Sequence, residues 1–169
     1  MGKAAYLRRD GMSHVLALLT PDNRLCMEIA LHTGLRIGDV LALRREDIKS
    51  RMSVIERKTG KRRIIALTAD LVRRARGDGT PGFVFPGARD PEKHRTRQAV
   101  WRDVVRAAKM LRYRRVSPHS ARKTYAVDYY HAHGDDLAAT RRVLNHDRDA
   151  TTMIYALADL LAERERKKR

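Results

Sequence analysis

Residues 117–155 read SPHSARKTYAVDYYHAHGDDLAATRRVLNHDRDATTMIY, and the order of side chains in that stretch decides how the rest of the chain is read. His119 and Arg122 stand three residues apart, so a helix opened by Ser117 and Pro118 carries both on one face. An amphipathic run leads on to Leu144, Asn145 and His146, and Tyr155 closes the segment after an Asp-Arg-Asp cluster. A histidine–arginine pair, a second histidine and a late tyrosine suit a phosphate cradle with a nucleophile beside it. Singly these residues mean little; with Arg36 and Lys58 upstream they form an ordered set.

The length of 169 residues is enough for one domain with its own core. Charged residues make up 34 %, above the roughly 25 % of ordinary globular chains, while 43 % hydrophobic residues still permit a packed interior. Net charge is +17 and the sequence pI is about 10.9, so a nucleic acid is the expected partner. Basic residues are spread throughout, and no basic helix with a strong apolar face argues for a membrane surface. Cys26 is the sole cysteine, which excludes an intrachain disulfide and a cysteine-based zinc site. It falls in an apolar helical pattern and reads as a small buried hydrophobe. No apolar run is long enough to span a bilayer and no signal-peptide core opens the chain, so a cytoplasmic protein acting on DNA or RNA is expected.

Working outward, Met12, Val15, Leu16, Leu18 and Leu19 predict a helix that stops at Thr20-Pro21. Asp22 is predicted to cap the next, which carries Leu25, Met27, Ile29 and Leu31 and ends at Gly34 in a left-handed cap. Leu35 to Leu43 predicts a short helical turn with Arg36 and Asp39 spaced i, i+3. These two form either a surface pair worth about 0–1 kcal/mol or an arginine braced to face a phosphate. The apolar neighbours favour the second. Two β-prone runs around Met52–Ile55 and Ile64–Leu67 flank Lys58-Thr59-Gly60-Lys61, which predicts a β-hairpin with Lys58 at its tip. On local grounds Lys58, like the nearby Lys61, Arg62 and Arg63, reads as a solvated or backbone-contacting cation.

Thr68 is expected to cap a helix reaching Arg76, and residues 88–95 read as a polar, mobile loop. Arg97 to Leu111 predicts a helix with Trp101 as a core anchor. The helix from Ser117 ends at His133-Gly134, another runs to Leu144, and two more are expected over 147–155 and 156–169. His131 and His133 face about 200° apart on a helix, which argues against a metal site. Tyr125, Tyr129 and Tyr130 read as core or groove residues. The expected class is α+β, mostly α-helical, with one small hairpin.

Four boxes now stand in order: TGLRIGDVLALRREDI with Arg36, ERKTGKRRIIAL with Lys58, SPHSARKTYA with His119 and Arg122, and LNHDRDATTMIY with His146 and Tyr155. Together they resemble the catalytic domain of the tyrosine recombinases, the phage-integrase family, over nearly the whole chain. Several ordered boxes are far more specific than one short motif. Two departures are Asp39, where the family commonly has glutamate, and Asn145, where it has glycine. The shorter aspartate can still brace Arg36, and asparagine can adopt the left-handed conformation.

The resemblance implies a single catalytic domain over 1–169 without an N-terminal core-binding domain. It implies double-stranded DNA as substrate, no cofactor and no metal, and strand transfer through a 3′-phosphotyrosine formed on Tyr155. Arg36 and Arg122 would hold the non-bridging oxygens, His119 would take a proton, Lys58 would protonate the leaving oxygen, His146 would add a hydrogen bond, and Asp39 would support Arg36. The implied protein is a site-specific recombinase or integrase of a phage or mobile element, a monomer in solution and a tetramer on DNA, with room for an accessory DNA-bending or core-binding partner. Two rivals are a type IB topoisomerase-like relaxing enzyme and a non-enzymatic DNA-binding protein that keeps the fold.

Overall fold

Apolar side chains recurring at helical spacing build the frame of the protein, seen here in a computed structural model that describes residues 4–144. The chain divides into two units, Met1–Thr124 and Tyr125–Arg169. In the first, α1 (Arg9–Ala17) buries Met12, Val15 and Leu16, and α2 (Pro21–Thr33) buries Cys26, Met27, Ile29 and Ala30. A short α3 (Ile37–Leu41) and a 3-10 turn (Arg45–Asp47) lead into strands β1 (Arg51–Ile55) and β2 (Arg62–Ala66). After α4 (Ala69–Arg76), α5 (Arg97–Met110) lays Val100, Val104, Ala107 and Ala108 into the same core, which Ile48 and Phe85 help to fill. Each of the larger of these side chains contributes about 1.5–3 kcal/mol by leaving water.

The unit boundary falls within α6 (Pro118–Ala132). In the second unit α7 (Leu137–Leu144) follows, and Ala126 and Leu144 make a small core flanked by Tyr125 and Val143. The result is mostly helical with a two-stranded antiparallel sheet, the α+β class the pattern predicts. The helices expected over 147–155 and 156–169 lie outside the described residues. No described helix is long and apolar enough to cross a membrane.

The start of α2 differs from expectation. Thr20, not Asp22, is the N-cap, with Pro21 in the first helical position its fixed φ suits. The cap's partner comes from α5: Asp103 Oδ2 accepts the Thr20 amide at 3.0 Å, the Thr20 hydroxyl at 2.9 Å and the Asn23 side-chain amide at 2.8 Å. Arg106 donates to Oδ1 at 2.6 Å. Burial pushes the Asp103 carboxyl upward, but these donors prevail and hold it at about 2.

Trp101 is the second correction. The core face of α5 runs through Val100 and Val104, and the position between them that follows Val100 turns to the rim, leaving Trp101 42 % exposed. The polar loop over residues 88–95 is closed by backbone hydrogen bonds from Gly87 N–H to Lys93 O at 2.7 Å and from Arg95 N–H to Phe85 O at 2.7 Å. A Cβ at position 87 would lie 2.7 Å from the Asp90 carbonyl oxygen, so only glycine fits that turn.

In the hairpin, Met52 and Val54 point inward from β1 and pair with Ile65 and Arg63 of β2. Period-two alternation admits only one of two adjacent isoleucines to the core, so Ile65 is buried and Ile64 is exposed. The other inward position of β2 holds Arg63, and the inward row of β1 continues past its end to Glu56, both buried. Two charged groups thus enter the interior side by side.

Candidate active site

Gly34 ends α2 with φ 66°, a left-handed cap that turns the last carbonyls of the helix toward the hairpin. Helix C-termini leave carbonyls without intrahelical partners and carry partial negative charge. Arginines meet them here. Arg63 Nη2 donates to Thr33 O, Arg63 Nη1 to Gly34 O at 3.3 Å, and Arg122 Nη1, from the first turns of α6, also to Gly34 O. Arg36 follows directly as the N-cap residue of α3.

Glu56 sits at the centre with its side chain fully buried. Its Oε2 accepts Arg36 Nη1 at 2.6 Å and the Thr59 hydroxyl at 3.2 Å, and its Oε1 lies 3.6 Å from Arg63 Nη1 and 4.0 Å from Arg122 Nη1. Its backbone carbonyl accepts the amides of Thr59 and Gly60, so the same residue also shapes the turn that bears Lys58. Asp39, 4 % exposed, accepts the Arg57 amide at 3.0 Å and ties α3 to that turn. Among the described residues the carboxylate hydrogen-bonded to Arg36 is Glu56, twenty residues on, while Asp39 braces the hairpin end.

Burial sets the electrostatics. It lowers the Arg122 guanidinium to about 10, aided by the positive charges of Arg36 and Arg63 and opposed by Glu56 and Asp39. Arg122 thus remains a cation at neutral pH. Burial foremost, against the pull of the Arg57 amide and reinforced by Glu56, pushes the Asp39 carboxyl above its ordinary value. Among the described residues three guanidiniums face two carboxylates here, a positive balance suited to an anion.

The cluster opens on a cleft of about 610 Å³ lined by Arg36, Lys58, His119 and Arg122, with Asp39, Arg57, His94 and Arg97 on its walls. Five of the residues selected from sequence, Arg36, Asp39, Lys58, His119 and Arg122, therefore share one cleft. His146 and Tyr155 lie outside the described residues. Arg63, expected to be a solvated or backbone-contacting cation, is instead buried and donates to the Thr33 and Gly34 carbonyls, because its strand position faces inward. Glu56 was not singled out from the sequence; its signal was the inward row Met52, Val54, Glu56 running on at period two. Among the described residues no three His, Cys, Asp or Glu side chains gather as a metal site requires. His131 Nδ1 lies 2.9 Å from Asp135 Oδ1, and His133 stacks on Tyr129 with centroids 3.7 Å apart. Tyr125, Tyr129 and Tyr130 are half-buried.

A sequence model of the phage integrase family matches residues 6–160. The integrase of Escherichia phage P2 is 28 % identical over 155 residues, covering 91 % of this chain and 43 % of its own length. Tyrosine recombinase XerD of Mycobacterium tuberculosis (strain H37Rv) is 32 % identical over 163 residues, covering 87 % and 51 %. Among solved structures, a lambda integrase dimer bound to a COC′ core site superposes with TM-score 0.70 at 21 % identity, covering 90 % of this chain and 48 % of that one. The fold is that of the tyrosine recombinase catalytic domain. The chain belongs to the phage integrase family, and it spans about half the length of the curated relatives it matches.

Proposed function

We propose that the chain supplies the catalytic chemistry of a site-specific DNA recombinase of the integrase type, cleaving and rejoining strands through a 3′-phosphotyrosine link. The observation that carries this reading is the convergence of Arg36, Lys58, His119 and Arg122 on one cleft, the two arginines braced by a buried carboxylate. In the proposed reaction the Tyr155 phenolic oxygen bonds to phosphorus and the bond to the 5′ oxygen breaks. Only about one phenol in a thousand is ionised at pH 7, so a base is needed, and His119 takes that proton. Lys58 delivers a proton to the departing 5′ oxygen. The forks of Arg36 and Arg122 offset the charge that grows on the non-bridging oxygens, with a hydrogen bond from His146. Asp39, holding the Arg57 amide, keeps the Lys58 turn against the arginines. A 5′-hydroxyl from a partner strand then attacks phosphorus and releases Tyr155, so the bond energy is retained and no nucleotide cofactor is consumed.

The partner is double-stranded DNA, in keeping with a net charge of +17. The protein works in the cytoplasm, as a monomer when free and as a tetramer on DNA. One solved relative with the same fold is a lambda integrase tetramer bound to a Holliday junction, which supports the second state. Covalent trapping on nicked duplexes drawn from a random-sequence pool tests the reading: a protein–DNA adduct attached through Tyr155 is expected, and its absence contradicts the proposal.

A further inference from the structure

Two cations of the cleft differ from the rest. Among the arginines that line the cleft, Arg36 and Arg122 gather on Glu56 together with the buried Arg63, whereas Arg57 and Arg97 have exposed side chains that, among the described residues, meet no carboxylate. Arg57 is nevertheless held. Its Nη1 lies 3.0 Å from His94 Nε2, and His94 Nδ1 lies 2.8 Å from the carbonyl oxygen of Arg95. A carbonyl can only accept, so Nδ1 carries the proton and Nε2 offers a lone pair to the guanidinium. Arg57 is thus steadied without being neutralised.

The support is built to stay in place. The Phe83 ring meets His94 edge-on at 5.5 Å, and Arg95 is anchored to Asp22 at 2.5 Å. Arg97 is positioned in another way: a Cβ at Gly38 would come within 3.4 Å of its Cδ, so its stem lies close over α3. Two planar forks on the wall of one cleft suit bidentate binding of an oxyanion.

We propose that Arg57 and Arg97 form a second anion subsite, which takes a phosphodiester of the bound DNA flanking the one held by Arg36 and Arg122. The proposal rests on the DNA-cleaving reading for its ligand. Its role is to set the strand in register, since phosphate contacts position a duplex without reading its bases.

The test uses binding, so it stands apart from cleavage. Gel-shift titrations of a mixed-sequence duplex between about 50 and 200 mM salt would compare the wild type with an Arg57→Gln/Arg97→Gln double variant. The log–log salt slope should fall by about 0.9 for each phosphate that the variant no longer neutralises. Labelling with the arginine reagent phenylglyoxal, mapped by peptide, should slow at both positions when duplex is added. An unchanged slope, or labelling as fast with duplex as without it, overturns the subsite. A chain that forms the Tyr155 adduct yet shows an unchanged slope keeps its function and loses this proposal. Normal protection at Arg57 and Arg97 without any adduct keeps the subsite and removes the catalytic reading. A wild type that binds no duplex at the lowest salt removes both.

Discussion

Glu56 Oε2 lies 2.6 Å from Arg36 Nη1, and the glutamate side chain is wholly enclosed while the arginine keeps 17 % of its surface toward the cleft. That asymmetry gives the pair a direction: the carboxylate belongs to the interior and holds the guanidinium at its rim. The same carboxylate group faces Arg63 at 3.6 Å and Arg122 at 4.0 Å. One buried anion therefore organises three cations arriving from the α2–α3 junction, the hairpin and α6.

Removing that anion should be costly. Glu56→Gln removes the buried charge that the three guanidiniums share, and breaking a buried pair from one side costs about 3 kcal/mol or more. Urea denaturation should show a loss of that size, and single-turnover cleavage should fall with it. A variant as stable as wild type would mean that water already screens the cluster.

Shape should matter as much as charge. Arg36→Lys and Arg122→Lys each keep a cation but lose the planar fork, and each should slow single-turnover cleavage by about a hundredfold or more. Arg122→Lys should also lower stability, because the guanidinium donates to the Gly34 carbonyl at the buried end of α2. Near-normal rates in both variants would remove the arginines from the reacting phosphate.

Lys58 carries a chemical signature of its own. Lys58→Ala should be slow on ordinary DNA and recover on a duplex whose bridging 5′ oxygen is replaced by sulfur, a leaving group that needs no proton. Equal impairment on both substrates would make Lys58 a backbone contact only.

The fold's stability should follow Asp103 at low pH. Its carboxyl sits at about 2 in the folded protein against 3.8 for the free group, so its contribution is complete above roughly pH 4. The contribution, about 2 kcal/mol, is lost as pH falls from roughly 4 to 2. Asp103→Asn should flatten that part of a stability–pH curve measured by urea titration. An equally steep curve in the variant would assign the acid sensitivity to other carboxylates.

Much of this architecture was legible in the chain. The left-handed end of α2 at Gly34, the Thr68 cap and the hairpin under Lys58 follow from local rules of glycine, capping and alternation. Arg36, Lys58, His119 and Arg122 were found by their order along the sequence, and Asp39 by its i, i+3 spacing from Arg36. What stayed hidden depends on long-range pairing. Glu56 lies in ERKTGK, a string that reads as a polar turn, and only strand register shows that its side chain follows Met52 and Val54 inward. Arg63 stands among tip cations in sequence but opposite Val54 in the sheet. The Arg57–His94 pair joins residues 37 positions apart, beyond the reach of any local motif.

The central claim is that a phosphate held by this cleft is attacked by Tyr155. Wild type and Tyr155→Phe should be incubated with nicked duplexes from a random pool, resolved on denaturing gels, and any attached residue identified by peptide mapping. The predicted result is a covalent adduct on Tyr155 in the wild type, and none in the variant although gel shifts show that it still binds DNA. Adduct formation by Tyr155→Phe at the wild-type level, or mapping of the link to Tyr129 or Tyr130, would contradict it.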